Sequence, residues 1–303
     1  MKGKGAHPVL RATLWMVGTL ASFMAMAVGG RELSAELNTF QILFFRSVVG
    51  LAVIALLLTV HGWAQVRTRR LGLHAVRNVA HFGGQFGWFY GLAFLPLAEV
   101  FAIEFTTPVW TALLASLLLG ERFTTARGVV VVLGMAGVLL IVRPGLAVVH
   151  PAAIAVLLSA LGYALSHTLT KKLAATETPL AILFYMTLIQ LPLGFVPAAF
   201  DWAWPSAGMW PWLLVVGLTA MSAHYCMVRA FAHADAMVVV PLDFLRLPLI
   251  ALVGFVFYGE RIEWLVFAGA ALILAGNLYN LRAERRAGAA ARPAPARARA
   301  ARE

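Results

Sequence analysis

Glu104, Asp243 and Arg246 stand inside long apolar runs of this 303-residue chain, and so do Arg46, His81, His167 and His224. An ionisable group in hydrocarbon costs at least about 2.5–3.5 kcal/mol at a helix centre, so each normally meets a partner or a wet cavity. Their chemistry is binding and proton transfer: carboxylates take cations or protons, guanidinium takes anions, and imidazoles titrate near neutrality. Asp243 and Arg246 lie three residues apart on one helix face, which suits an intrahelical pair and also a zwitterionic ligand. Arg46 has two readings, an anion-binding group or a side chain that snorkels or caps a neighbouring helix. The three histidines either relay protons or pack as neutral, hydrogen-bonded rings. Phe82, Phe86, Trp88, Phe89 and Tyr90 offer ring faces to a planar heterocycle, or else pack against helices and lipid.

The sequence also limits other chemistry. It contains neither a G-x-x-x-x-G-K-[ST] loop nor an H-E-x-x-H pair, so it implies no nucleotide-driven pump and no intramembrane enzyme. Cys226 is the single cysteine, which rules out an intrachain disulfide and paired-cysteine metal or redox motifs. The reading implies no cofactor and no metal.

The elements that must position these residues are membrane helices. Hydrophobic residues make up 61% of the chain and charged ones 12%, against about 25% charged in soluble domains, and the mean hydropathy is +0.84. A helix needs about 20 apolar residues to cross a core of about 30 Å. Runs of that length fall at Leu10 to Gly30, Thr39 to Val60, Ala75 to Leu95, Ala98 to Leu119 and Thr125 to Val142. A second set covers Ala152 to Thr170, Thr178 to Phe200, Trp210 to Ala232, Ala236 to Tyr258 and Ile262 to Leu281. The expected fold is therefore all-α, a polytopic membrane protein of ten transmembrane helices, with a small-molecule substrate and the bilayer as its partners.

Lysine and arginine set the orientation, because cytoplasmic loops carry their excess. One side holds Lys2, Lys4, Arg11, Arg67, Arg69, Arg70, Arg77, Arg122, Arg127, Lys171, Lys172 and a basic tail; the other holds Arg31, Arg143 and Arg261. Both termini are expected in the cytoplasm of a cell bounded by this inner membrane. The net charge of +11 sits largely in short loops and in that tail, a placement that suits anionic lipid headgroups rather than nucleic acid. Lys2 and Lys4 ahead of Ala25, Met26 and Ala27 resemble a cleaved leader, but the segment has a counterpart later in the chain and reads as a permanent span.

That counterpart belongs to an internal repeat. Gly120-Glu121-Arg122 recurs as Gly259-Glu260-Arg261, an offset of 139 (260 − 121), which also carries Glu104 onto Asp243, Phe105 onto Phe244 and Gly137 onto Gly276. Ile42-Leu43-Phe44-Phe45 matches Ile182-Leu183-Phe184-Tyr185 at 140 (182 − 42). A five-span unit has an odd number of crossings, so the second copy enters from the opposite face, giving two inverted five-helix repeats of the kind alternating access uses. The expected layout is a cytoplasmic tail over 1–9, repeats over 10–145 and 152–282, and a disordered basic tail over 283–303. Gly83, Gly87 and Gly91 should strip one side of the third span for close helix packing. Glu121-Arg122 and Glu260-Arg261 read as anchors at loop ends facing headgroups and water.

Phe44-Phe45-Arg46, Pro108 with Leu119-Gly120-Glu121-Arg122, Gly134 with Gly137, and in the second repeat Pro241, Phe244, Pro248, Gly259-Glu260-Arg261 and Gly276 together resemble the EamA family of the drug/metabolite transporter superfamily. The resemblance covers about Thr13 to Arg282 and implies a ten-span secondary transporter moving a small metabolite. The segment Pro241 to Pro248 is similar to bacterial members that carry S-adenosylmethionine or riboflavin, which implies a zwitterionic or heterocyclic substrate. The repeats differ where Met186 replaces Arg46 and where Asp243 with Arg246 replaces Glu104 with Thr107, so the central site is expected to be asymmetric. Arg46, His81, Glu104, His224, Asp243 and Arg246 are the candidates for substrate binding or coupling. A channel or a non-transporting scaffold fits the helices too, but leaves the repeat and the paired acids without a purpose.

Overall fold

The computed structural model describes residues 6–120, 123–143 and 150–290, and among them it is helical with no strand. The first repeat contributes α1 (Ala6–Leu33), α2 (Thr39–His61), α3 (Leu71–Phe94), α4 (Leu97–Glu104), α5 (Thr107–Leu119) and α6 (Thr125–Val142). The second contributes α7 (Pro151–Leu173), α8 (Pro179–Ala198), α9 (Trp210–His233), α10 (Ala236–Asp243), α11 (Arg246–Tyr258) and α12 (Trp264–Ala290). Local signals start and stop these helices. Asn38 caps α2 by accepting from the Gln41 N–H, and its counterpart Thr178 caps α8 through the Ala181 N–H. Gly120 and Gly259 end α5 and α11 in the left-handed region, at φ 67° and 64°.

Among the described residues, nine segments are both long and apolar enough to cross a membrane, with α4–α5 and α10–α11 each counting as one. The third expected span, α3, has 24 residues, about 36 Å of helix. It carries His74, Arg77, Asn78, His81 and Gln85, all buried, so its polarity faces protein rather than lipid. Large apolar side chains such as Leu56, Leu117, Val132 and Phe257 point outward instead, as a lipid-facing surface requires.

The fourth and ninth spans are each broken, at Phe105-Thr106 and Phe244-Leu245. Pro108 and Pro248 lack the N–H that would reach back four residues, to the Glu104 and Phe244 carbonyls. The tail expected to be disordered from 283 instead continues α12 to Ala290, because Arg282-Ala283-Glu284-Arg285-Arg286-Ala287 is a run of strong helix formers. The remainder of that tail, the 1–5 segment with Lys2 and Lys4, and Glu121-Arg122 lie outside the described residues.

The repeat is visible in the packing. α1 lies along α9 and α3 along α7; α2 pairs with α8 and α6 with α12. Exchanging each helix for its counterpart in the other repeat returns the same four pairs. Contact is close because glycines clear the way: a Cβ on Gly87 would sit 2.2 Å from the Ala155 carbonyl oxygen, and one on Gly91 2.2 Å from Val156. The third member of that stripe is Gly84, which faces Tyr163 and Ser159, whereas Gly83 has open space beside it. The stripe therefore runs at spacings of three and four, as helix geometry demands.

Candidate functional site

The two broken spans meet at the middle of the molecule. α4 ends on Glu104 and α5 begins at Thr107; α10 ends on Asp243 and α11 begins at Arg246, each boundary displaced by the repeat offset. Phe105 and Phe244, equivalent residues in the breaks, stack at 4.1 Å between ring centroids, which puts the pseudo-twofold axis between them. Carbonyls freed at the breaks need donors. In the first repeat the Thr107 hydroxyl donates to the Glu104 carbonyl at 2.7 Å; in the second the Arg246 Nε reaches the Asp243 carbonyl at 3.4 Å. One structural job is thus done by a neutral side chain in one copy and by a cation in the other.

Arg246 is the hub of the resulting cluster. It donates to Asp243 Oδ2 at 2.7 Å and pairs with Glu104 Oε1 at 3.6 Å, the second too long for a hydrogen bond. Its guanidinium also lies over the rings of Phe23 at 4.4 Å and Phe105 at 4.9 Å, contacts favourable to a desolvated cation. Trp88 Nε1 donates to Glu104 Oε2 at 2.8 Å. Two carboxylates face one guanidinium, and Asp243 Oδ1 is buried without a hydrogen-bond partner. With both acids ionised the cluster has one negative charge to spare, and one acceptor is unused.

A cavity of about 930 Å³ opens from this cluster and is lined by all six candidates: Arg46, His81, Glu104, His224, Asp243 and Arg246. Glu104, Asp243 and Arg246 touch one another, whereas Arg46, His81 and His224 line the same space from α2, α3 and α9 with no bond to the cluster among the described residues. His81 Nδ1 is bonded to Gln190 Nε2 at 2.9 Å, and His224 donates from Nδ1 to the Ala220 carbonyl at 2.9 Å. Both keep their other ring nitrogen. Sequence reasoning passed over Tyr163 and Gln85, which also line the cavity, and named Trp88 for its ring face rather than for its indole N–H. The signal was present as helix-spaced polar stripes: His81, Gln85 and Trp88 on α3, and Tyr163, His167 and Lys171 on α7.

The cavity's lining extends past Arg127, Lys171 and Glu284 at one end and, among the described residues, includes none from the opposite, Arg31–Glu260 end. There α4 packs on α11 and α12, and among the described residues α10 has no comparable packing on α5 or α6. Glu260 holds the closed end. It accepts the Leu97 N–H at 2.8 Å and pairs with Arg31 at 3.1 Å; Arg31 donates in turn to the carbonyls of Leu92 and Leu95. Tyr258 donates to Glu32 at 2.7 Å alongside. Glu260 is an anchor, as its position at a loop end suggested, but it grips protein rather than headgroups, since its carboxylate turns in against Gly254.

An all-α polytopic membrane protein with two repeats meeting at a charged cavity is the class these features define. The chain belongs to the EamA-like transporter family, whose model matches residues 10–143 and again 150–282; it is a transporter and not an enzyme. It is 25% identical over 273 residues to an S-adenosylmethionine uptake transporter of Rickettsia bellii, covering 90% of this chain and 94% of that protein. It is 34% identical over 226 residues to a riboflavin transporter of Rhizobium johnstonii, covering 74% and 75%. A pseudopaline exporter of Pseudomonas aeruginosa is 29% identical over 270 residues, covering 86% and 92%. A solved crystal structure superposes with a TM-score of 0.64 over 91% of this chain and 98% of the other at 19% identity, a likeness of fold.

Proposed function

We propose that this chain is a secondary transporter that moves a small metabolite across the cytoplasmic membrane by alternating access between two inverted repeats. The observation that carries this reading is the cavity: charged at the pseudo-twofold axis, open past Arg127 and Lys171, and sealed at the Arg31–Glu260 end. In this reading α3 is the tenth crossing, both termini are cytoplasmic, and the cavity faces the cytoplasm, because its open end carries the excess of Lys and Arg. Basic loops and the tail then rest on anionic lipid.

Glu104, Asp243 and Arg246 form the central substrate and coupling site. The spare negative charge favours a cationic group on the substrate or a proton in its place, and the Trp88, Phe23 and Phe105 rings suit a planar heterocycle. The relatives named for S-adenosylmethionine and riboflavin support a heterocyclic metabolite as the first class to test. A channel or scaffold finds less support, since a sealed end and a buried charge cluster serve neither. Purified protein in liposomes should take up one of these probes saturably, and Asp243→Asn and Glu104→Gln should each lose that uptake while remaining folded. Wild-type rates in both variants would remove the cluster from the mechanism.

A further inference from the structure

The cavity has a second charged end. Arg46 lines it from α2 at 6% exposure, and among the described residues it has no hydrogen-bond or ion-pair partner; its Nε is buried with none. Behind it lies Arg77, also 6% exposed, which donates to Thr170 Oγ1 at 3.0 Å and Asn78 Oδ1 at 2.6 Å. The two guanidinium groups are within electrostatic reach of each other, and neither is paired with a carboxylate among the described residues. Arg246, by contrast, is flanked by two acids. An unpaired buried cation is costly, and some gain must offset it.

The fold itself does not need that charge. Met186, the counterpart of Arg46 in the second repeat at offset 140 (186 − 46), is buried at 4% exposure and fills the equivalent place with an apolar side chain. A packing or capping role would be met by such a residue on both sides of the axis. On the same cavity, His81 accepts from Gln190 at Nδ1 at 2.9 Å, which assigns the ring proton to Nε2 and makes His81 a second donor on the cavity wall. Tyr163 lines the same cavity as Arg46 and Glu104, so one space joins the two poles.

We propose that Arg46, with His81 on the same cavity wall, is a dedicated oxyanion subsite that receives a carboxylate of the transported molecule while Glu104 and Asp243 receive its cationic group. This rests on the transporter reading above and narrows the substrate to a dipolar molecule, with opposite charges on separate groups. One guanidinium facing the cavity matches the single charge of a carboxylate; a phosphate monoester offers the same oxygens with more charge.

The test uses Arg46→Met, which copies the residue of the other repeat. In binding and uptake assays on the full-length protein, the probes are S-adenosylmethionine, its decarboxylated form, riboflavin and riboflavin 5′-phosphate. Wild type should prefer the carboxylate-bearing probe to its decarboxylated form, and Arg46→Met should weaken that probe about ten- to a hundredfold, the worth of one charge-assisted contact, while leaving the decarboxylated form unchanged. Equal loss for both forms, or no loss, overturns the subsite while leaving the transporter reading intact. Preference for riboflavin 5′-phosphate over riboflavin, lost in Arg46→Met, assigns the subsite to phosphate and overturns the carboxylate. Melting of the ligand-free protein gives an independent arm: Arg46→Met should melt at the wild-type temperature or above it, and a lower melting temperature would show a structural cation and overturn the proposal. If wild type transports none of the four, the proposed function fails for these classes, and the melting arm decides the subsite alone.

Discussion

Glu260→Gln isolates the seal at the closed end of the cavity. The amide still accepts the Leu97 N–H, now at 2.8 Å from the carboxylate, but loses the charge that pairs with Arg31 at 3.1 Å. A hydrogen bond to a charged group contributes about 1.5–3 kcal/mol and a neutral one about 0.5–1.5 kcal/mol. The two side chains are only 19% and 13% exposed, so solvent screens little of the difference. The sealed state should lose about 1–2 kcal/mol, and since each 1.4 kcal/mol is a factor of ten, the population open toward Arg31 should rise about five- to thirtyfold. The single native thiol, Cys226, is removed as Cys226→Ala, and Thr107→Cys on the cavity wall serves as reporter. A membrane-impermeant maleimide added from the Arg31 side should label the Glu260→Gln protein faster by that factor, with slower labelling from the other side. Unchanged rates from both faces would refute the reasoning, because the seal would then not depend on the ion pair.

Arg246→Met should be the most damaging change at the centre: it leaves two carboxylates buried without a cation, a loss of about 3–5 kcal/mol that detergent melting will read. Adding Glu104→Gln and Asp243→Asn to it should restore most of the melting temperature but no transport; restored transport would show the cluster to be structural. Gly87→Ala should lower stability by about 1–3 kcal/mol, because its Cβ would meet backbone rather than a movable side chain, whereas Gly83→Ala, with nothing within 4 Å, should be neutral or slightly stabilising in the same melting series.

Much of the architecture could be read from residues alone, because the repeat offset is written in local motifs. Gly120 and Gly259 recur with their helix ends, and Glu104 and Asp243 recur with the helix breaks that carry them. The places of the breaks were hidden, since Ala98 to Leu119 and Ala236 to Tyr258 are unbroken in hydropathy; Pro241 and Pro248 signal missing helical hydrogen bonds in the ninth span but flank the turn rather than mark it. The central cluster was half legible: the Asp243–Arg246 pair follows from spacing, but Glu104 joins it across 142 residues of sequence (246 − 104), which no periodicity reports. Glu260 looked like a headgroup anchor for the same reason, its partner Arg31 lying 229 residues away (260 − 31). Trp88 disappeared into an aromatic run, and its role shows only when its indole N–H is found on Glu104.

Trans-stimulated exchange tests the central claim most directly. Liposomes holding the wild-type protein are loaded with excess unlabelled S-adenosylmethionine or riboflavin, and entry of the labelled compound is timed. A single site exposed to each face in turn predicts faster, saturable entry into loaded vesicles than into empty ones, with the acceleration abolished in Asp243→Asn. Entry that rises linearly with concentration and ignores the internal load would contradict it.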